Sequence, residues 1–196
     1  MIIGIYIGRF QPFHKGHFKT LINYFENCDK IIIVPIYYEK NGKEILSQKN
    51  PIPIKLRINY IRSIINDYPF LRNKCHIIPQ NILDINFLKN IQYLILSSCK
   101  TSENSKNSVI IFTRDLSRKL IYSLYFFTFN FFGINVKVIY DKERSISSSM
   151  IREAIRKDNY ENIRELLVKD LDIKTIYYIK KTCGYKDLNI LPISFY

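Results

Sequence analysis

Residues 2–17 of the chain read IIGIYIGRFQPFHKGH. The apolar run Ile2–Ile7 is typical of a β-strand that is buried on both faces, and Gly8 ends it. Gly16–Asn27 then carries apolar residues at helical spacing, which predicts an α-helix. The chain therefore begins with a strand, a loop and a helix, and the rest of the sequence repeats this order.

Hydrophobic runs of strand length alternate with amphipathic stretches of helix length along the remaining residues. The predicted strands are Lys30–Tyr37, His76–Pro79, Val109–Thr113 and Val136–Tyr140. The predicted helices are Ile54–Tyr68, Leu116–Phe132, Ser149–Lys157, Tyr160–Leu167 and Ile173–Thr182. Residues 39–51 and 100–107 are polar and predict loops, whereas residues 82–98 are compatible with a helix or a strand.

This alternation predicts an α/β fold, with a Rossmann-like parallel sheet covered by helices on both faces. The chain has 196 residues, 47% of them hydrophobic, and fits one domain over residues 1–196 with C-terminal helices from about residue 149. Ligands of such sheets bind beyond the carboxyl ends of the strands. We therefore expect the loop of residues 8–16 to lie in a binding site.

The chain is strongly basic, with 30 Lys and Arg against 17 Asp and Glu and a formal net charge of +13. This charge suits a polyanionic partner, such as nucleotide phosphates, nucleic acid or an acidic membrane. The abundance of Ile, Asn, Lys and Tyr is equally typical of an AT-rich genome, in which Lys would simply occupy solvated surfaces. Charge alone therefore does not identify the partner.

Four cysteines stand at positions 28, 75, 99 and 183, without a C-x-x-C pair or a histidine at metal-ligand spacing. This argues against a zinc site and suits a reducing cytosol, so we expect a cytoplasmic protein. Met1–Ile7 lacks the basic region of a signal peptide. Leu120–Phe132 is the most apolar stretch but is too short to span a bilayer, so we expect a buried helix and no membrane partner.

The loop after the first predicted strand has the features of a phosphate-binding site. Gly8 and Gly16 allow the backbone to approach a ligand closely, and the next helix begins with free N–H groups and a positive dipole end. Four side-chain donors belong to this segment: Arg9, His14, Lys15 and His17. The two histidines are three residues apart, so both can face one ligand.

The other residues of this loop allow more than one interpretation. Phe10 and Phe13 are either packing residues or aromatic rings that flank a base. Metal binding by His14 and His17 would need a further ligand, and no carboxylate is close in sequence. We therefore assign no metal ligand.

Residues 146–152 read ISSSMIR and predict a second helix N-terminus. Serines that precede a helical run are N-cap candidates. Their hydroxyls and the guanidinium of Arg152 suit a phosphate, although an ordinary capped helix would have the same sequence pattern.

Three segments carry a resemblance to one family. Gly8–His17 resembles the archaeal-type nicotinamide mononucleotide adenylyltransferases, including those fused to Nudix domains, and residues 14–17 match the His-x-Gly-His signature of the nucleotidyltransferase superfamily. Residues 147–152 resemble its Ser-x-Thr-x-Ile-Arg motif, with Ser149 at the Thr position and Ser148 where archaeal-type members often have Gly. Asn50-Pro51 and Arg57 are similar in spacing to the family's Asn-Pro-Phe-Thr-x-x-Glu-Arg stretch, without its Phe, Thr and Glu.

The resemblance implies a nucleotidyltransferase that moves the adenylyl group of ATP to a small phosphorylated acceptor. An acceptor phosphate oxygen attacks the α-phosphorus and pyrophosphate leaves in line, so catalysis is positioning and charge neutralisation. The implied catalytic residues are His14, His17 and Arg152. The implied ATP contacts are Gly8, Arg9, Phe10, Lys15, Gly16, Ser147, Ser148 and Ser149. Mg²⁺ would bridge phosphates and keep most of its waters, so no carboxylate cage is needed.

The acceptor implied by the resemblance is nicotinamide mononucleotide, with contacts from Arg57, Asn86 and Phe87. The family usually places a Trp beside the nicotinamide ring, and this chain has no Trp, so Phe87 would supply the stacking face. The alternatives are an adenylyl- or cytidylyltransferase for another phosphorylated acceptor and a basic RNA-binding protein without catalysis. The two phosphate motifs favour ATP over nucleic acid as the partner, and homo-oligomerisation is left open.

Overall fold

The computed structural model describes residues 1–99, 107–113, 116–140 and 146–183. The strands are β1 (Ile2–Gly8), β2 (Lys30–Tyr37), β3 (Glu39–Lys40), β4 (Lys43–Glu44), β5 (Cys75–Ile77), β6 (Gln80–Asn81), β7 (Asn107–Thr113) and β8 (Ile134–Tyr140). The helices are α1 (Lys15–Phe25), α2 (Ile54–Asn66), α3 (Pro69–Arg72), α4 (Phe87–Ser98), α5 (Leu116–Phe126), α6 (Ser148–Arg156), α7 (Tyr160–Leu166) and α8 (Ile173–Thr182). A 3₁₀ helix covers Phe127–Phe132.

A parallel sheet in the order β5-β2-β1-β7-β8 forms the centre of the molecule, and β6 extends the pairing with β2. Along β1, Tyr6 belongs to the core on one face, while Ile5 and Ile7 belong to the core on the other. The first core receives side chains of α1, α2, α6, α7 and α8, and the second those of α4 and α5. The predicted α/β fold with helices on both faces is therefore confirmed.

Close packing of α1 on β1 depends on Gly4. A β-carbon at this position would lie 2.3 Å from a ring carbon of Phe25, which is fully buried near the end of α1. The absence of a side chain at Gly4 lets the Phe25 ring lie directly on the strand. This contact fixes where α1 begins relative to the carboxyl end of β1.

Several element predictions need correction. Residues 39–51 contain the antiparallel β3–β4 hairpin, the third strand is Cys75–Ile77, and the ambiguous stretch contains α4. The predicted helix Leu116–Phe132 is α-helical only to Phe126, and Gly133, with φ of 72°, ends the 3₁₀ helix that follows. Residues 100–106 of the predicted polar loop lie outside the described residues, and Asn107 begins β7.

The expectation that the apolar stretch Leu120–Phe132 is a buried helix is wrong. α5 buries Tyr122 and Phe126 but leaves Leu120 and Leu124 exposed. Within the described ranges, no helix is long and apolar enough to cross a membrane.

The guanidinium of Arg57 forms hydrogen bonds that connect the loops at the carboxyl ends of β1 and β2. Its side chain is 2% exposed. Nε donates to Ile52 O (2.9 Å), Nη1 donates to Arg9 O and Ile36 O (2.7 Å each), and Nη2 lies 3.3 Å from Oε1 of Glu44. Burial lowers the pKa of Arg57 to about 10, against the opposing effect of Glu44, so the guanidinium stays charged at neutral pH.

The carboxylate of Glu44 and the amide of Gln11 add further hydrogen bonds to the segment before α2. Both Glu44 oxygens accept hydrogen bonds from Ile54 N, at 2.9 and 3.0 Å, and so cap the start of α2. The Gln11 amide bonds both ways with the backbone of Ile52, accepting from its N–H at 2.9 Å and donating to its carbonyl at 3.2 Å. The loop after β1 is therefore fixed to the segment before α2.

We expect Arg57→Met to lower the free energy of unfolding by about 3–5 kcal/mol, because it leaves three carbonyls and the Glu44 carboxylate without their cation. Urea denaturation followed by circular dichroism measures the change. Arg62→Met on the exposed side of α2 is the matched control and should stay within about 0.5 kcal/mol of the parent. Equal stability of the two variants would contradict this role of Arg57.

Candidate functional site

A cleft of about 440 Å³ opens at the carboxyl ends of β1 and β7. Its lining residues come from the loop after β1, the start of α1, the ends of β2 and β7, the first turn of α5 and the start of α6. They are Tyr6, Ile7, Gly8, Arg9, Phe10, His14, His17, Tyr38, Phe112, Thr113, Arg118, Ile146, Ser147, Ser148, Ser149 and Arg152. The strand order runs from β1 through β2 to β5 in one direction and from β1 through β7 to β8 in the other, so the cleft lies where connections diverge.

Two stacked imidazoles stand at the start of α1. His14 is the N-cap residue, with extended backbone and no side-chain capping bond, and its ring lies 3.7 Å from that of His17, centroid to centroid, at 27°. His14 is 1% exposed by area yet still reaches the cleft. A β-carbon at Gly16 would lie 3.1 Å from Cε1 and Nδ1 of His14. The glycine between the histidines therefore makes room for the stacked pair.

The ring of Phe10 packs against the histidine pair through His17. Its ring packs edge-on to His17 at 5.0 Å and to Tyr6 at 5.1 Å, and it lies 5.4 Å from the ring of Phe13. The backbone of Phe10 has φ of 48°, the left-handed region that few bulky residues adopt. This conformation turns the loop after β1 so that Phe10 enters the core while the loop borders the cleft. Between the two interpretations of Phe10, packing has direct support.

The start of α6 closes the other side of the cleft. Ser147 is its N-cap and accepts a hydrogen bond from Met150 N, and the Ser147 and Ser149 hydroxyls lie 2.8 Å apart. Ser148 Oγ donates to Pro12 O (3.2 Å), and Arg152 Nη1 donates to Gln11 O (2.9 Å). The second sequence motif is thus hydrogen-bonded directly to the first.

The guanidinium of Arg152 is part of an electropositive wall. Burial lowers the pKa of Arg152, the nearby Cys183 acts in the opposite direction, and the positive charge of Arg9 lowers the pKa further. Arg9, Arg118 and Arg152 all line the cleft, and its described lining contains no carboxylate. Two helix N-termini, hydroxyls, imidazoles and guanidinium groups around one cavity can hold a chain of phosphate groups.

Five residues predicted as ligand contacts, Gly16 among them, do not line the cleft in the part of the chain that the structure describes. Lys15 is exposed, and its Nζ donates to Arg164 O at 3.4 Å. Arg57 donates to backbone carbonyls and Glu44, as described above. Phe87 is 8% exposed and belongs to the core under α4, because Phe87, Ile91 and Ile95 form its buried face, so it offers no stacking surface. Asn86 is exposed at the N-cap of α4.

Several cleft residues were not identified in the sequence, and three of them are Tyr38, Thr113 and Arg118. Tyr38 directly follows β2, Thr113 ends β7 and Arg118 lies in the first turn of α5. All three stand at the carboxyl end of a strand or at the start of the following helix. Their position after predicted strands was the available signal, since ligands of parallel sheets bind at that edge.

The described residues contain no group of three or more His, Cys, Asp and Glu side chains that could hold a metal ion.

Comparison with known proteins finds relatives that match part of this chain. The chain is 33% identical over 87 residues to a nicotinamide-nucleotide adenylyltransferase of Pyrococcus abyssi, covering 44% of this chain and 43% of that protein. It is 33% identical over 76 residues to the protein of the same name from Saccharolobus solfataricus, covering 39% and 42%. The matches thus span less than half of each relative.

A solved structure shares the fold. The crystal structure of a bifunctional NMN adenylyltransferase/ADP ribose pyrophosphatase from Francisella tularensis superposes with a TM-score of 0.63 at 21% identity, covering 91% of this chain and 48% of that chain. The cytidylyltransferase-like family matches residues 5–154, which include the His14–His17 pair and the start of α6. Because this match extends over more than half of the sequence, the chain belongs to the cytidylyltransferase-like family.

Proposed function

We propose that the protein transfers the adenylyl group of ATP to nicotinamide mononucleotide, forming NAD and pyrophosphate. The observation that carries this proposal is the direct contact between the two motifs, in which Arg152 and Ser148 donate to the carbonyls of Gln11 and Pro12. This contact places the starts of α1 and α6 on opposite sides of one cleft. A triphosphate can then lie between two helix N-termini, with its α-phosphate near the histidines.

The chemistry needs no protein nucleophile. A phosphate oxygen of the acceptor bonds to the α-phosphorus of ATP as the bond to the bridging oxygen of pyrophosphate breaks, and pyrophosphate carries away the bonding electron pair. His14 and His17 stabilise charge on the α-phosphate oxygens, while Arg152 and Ser149 hold the departing β- and γ-phosphates. Arg9 lines the same cavity and adds positive charge. Catalysis is then positioning and electrostatic stabilisation.

Magnesium enters this scheme as part of the substrate MgATP. The described cleft lining has hydroxyls and cations but no carboxylate. Mg²⁺ is commonly held by substrate phosphates and retains several waters, which suits a site without an acidic cage.

The acceptor is supported by relatives named nicotinamide-nucleotide adenylyltransferase. With Phe87 in the core, recognition of the nicotinamide ring falls to another aromatic residue. Tyr38 is half-buried and lines the cleft next to the loop after β1. An aromatic stacking partner contributes roughly 0.5–1.5 kcal/mol beyond burial, so Tyr38 can take over part of the role of the missing Trp.

A cytidylyltransferase, or an adenylyltransferase for another phosphorylated acceptor, is the second candidate, because the matching family is described as cytidylyltransferase-like. The deciding experiment measures pyrophosphate release from MgATP and MgCTP with a panel of phosphorylated acceptors, and identifies products by mass. We expect NAD from ATP and nicotinamide mononucleotide. Turnover with CTP or another acceptor alone would overturn the substrate assignment, and RNA retention without pyrophosphate release would overturn the enzyme assignment.

We expect His17→Ala to lower kcat by about 10²–10³-fold, because one preorganised contact to developing charge is lost. Pyrophosphate release at saturating substrates measures the change, and a thermal melt confirms folding. His76→Ala, which removes the exposed histidine of β5, is the matched control and should keep parental activity. A folded His17→Ala protein with near-normal turnover would exclude this residue from the mechanism.

We expect Arg152→Ala to raise the KM for MgATP and lower kcat/KM by at least about tenfold, since a charge-assisted contact to phosphate is lost. Steady-state kinetics with ATP as the varied substrate measures the effect. Arg156→Ala, one turn further along α6, removes an exposed guanidinium that pairs with Glu153 and should leave ATP use unchanged. Equal kinetics for the two variants would show that Arg152 does not bind the triphosphate.

A further inference from the structure

The outer edge of β5 is not paired with another strand in the ranges that the structure describes, because β5 pairs with β2 alone. On either side of β5, Lys74 O accepts a hydrogen bond from β2 and Ile78 N donates one to β2. Backbone groups alternate in direction along a strand, so Cys75 and Ile77 direct their N–H and C=O groups away from β2. β5 therefore presents two donors and two acceptors at an open edge.

A groove of about 340 Å³ runs along this open edge. Residues 75–78 line it in succession, so the groove follows the edge of the strand and not one face of the sheet. Its other wall comes from α2 and α3, which contribute the polar side chains of Arg62, Asn66 and Arg72 and the apolar surface of Ile65. The groove thus combines an unpaired strand edge with two guanidinium groups.

These two guanidinium groups are not neutralised by other described residues. Arg62 and Arg72 are exposed, and neither side chain has an ion pair or hydrogen bond within the described part of the chain. The lining that the structure describes contains no carboxylate. Residues 45–83 hold six Lys and Arg but a single acid, Asp67, whose carboxylate pairs with Lys169 at 2.8 Å. The groove therefore suits a ligand with negative charge.

We propose that the groove between β5, α2 and α3 binds an extended acidic segment of a partner protein, which adds a strand to β5. An extended chain carries alternating N–H and C=O groups, and these match the outward groups of Cys75 and Ile77. Carboxylates of the added strand form charge-assisted hydrogen bonds with Arg62 and Arg72.

The chemistry of the edge favours a peptide over other occupants. A phosphodiester offers acceptors to the guanidinium groups, but it leaves the outward carbonyls of Cys75 and Ile77 without donors. A second copy, paired edge to edge about a two-fold axis, would bring its own Arg62 and Arg72 into the same groove, where like charges repel. Charged side chains also protect edge strands from pairing. Here, however, the two guanidinium groups belong to helices and leave the strand backbone open.

Fluorescence anisotropy with the full chain and a labelled short peptide of alternating Val and Glu tests the proposal. We expect saturable binding, and the same peptide with Lys in place of Glu should not bind. A fully N-methylated Val-Glu peptide has the same charge but no main-chain donors, so it should bind at least about tenfold more weakly. In the complex, hydrogen exchange of the Cys75 and Ile77 amides should slow, because both become donors to the added strand.

Arg62→Glu and Arg72→Glu should each weaken binding of the Val-Glu peptide by at least about tenfold, because a carboxylate then faces the acidic ligand. Lys137→Glu is the matched control, since it makes the same change of charge at an exposed position of β8, the opposite edge strand. It should leave the affinity nearly unchanged, and thermal melts check that all variants fold.

The proposal is overturned if the parent chain does not bind the Val-Glu peptide, or if the methylated peptide binds equally well. Unchanged affinity in both arginine variants, or an equal loss in Lys137→Glu, would also contradict it. Displacement of the peptide by a lower concentration of single-stranded RNA would assign the groove to nucleic acid instead.

Discussion

The buried guanidinium of Arg57 is the constraint on which the arrangement of the cleft depends. An unpaired cation in the interior costs several kcal/mol, so the native state must supply acceptors for it. These acceptors come from four segments: the loop after β1 at Arg9, the end of β2 at Ile36, the segment before α2 at Ile52, and β4 at Glu44. No single segment satisfies the guanidinium, and the four are therefore ordered together. Because the loop after β1 is one of them, contacts within the chain itself position the backbone that borders the cleft.

The hydrogen bonds of Arg57 also affect the electrostatics of the loop after β1. A backbone carbonyl that faces a phosphate repels it, so a phosphate-binding loop must direct its carbonyl oxygens to other donors. The structure meets this requirement at three positions, where the carbonyls of Arg9, Gln11 and Pro12 accept hydrogen bonds from Arg57, Arg152 and Ser148. The N–H groups at the starts of α1 and α6 remain as the polar backbone groups suited to an anion. The residues that join the two motifs thus also provide donors for two carbonyl oxygens of this loop.

The sequence predicts those features that depend on neighbours along the chain. Apolar runs located β1 and β2 almost to the residue, and His14–His17 indicated the start of α1, because strand burial and helix caps are read locally. The role of Arg57 was not predictable in this way, since its four partners are brought to it only by the fold. Phe87 was assigned to a ligand although its spacing to Ile91 and Ile95 already placed it on the buried face of α4. For α5, hydrophobicity predicted burial within one chain, whereas the sheet covers only one side of this helix.

The two motifs do not determine which acceptor the proposed enzyme recognises. Imidazoles, hydroxyls and guanidinium groups recognise phosphates, which every nucleotide shares, so they cannot distinguish one acceptor from another. In the proposed function, selectivity comes from the part of the cleft at the ends of β2 and β7, where Tyr38 and Thr113 line the wall. A ring face and a hydroxyl there are the kinds of group that separate a flat, carboxamide-bearing base from other phosphorylated acceptors, because the site's polar groups are left unpaired when the wrong acceptor binds. In this proposal, phosphate binding and the choice of acceptor therefore belong to different strands of the same sheet.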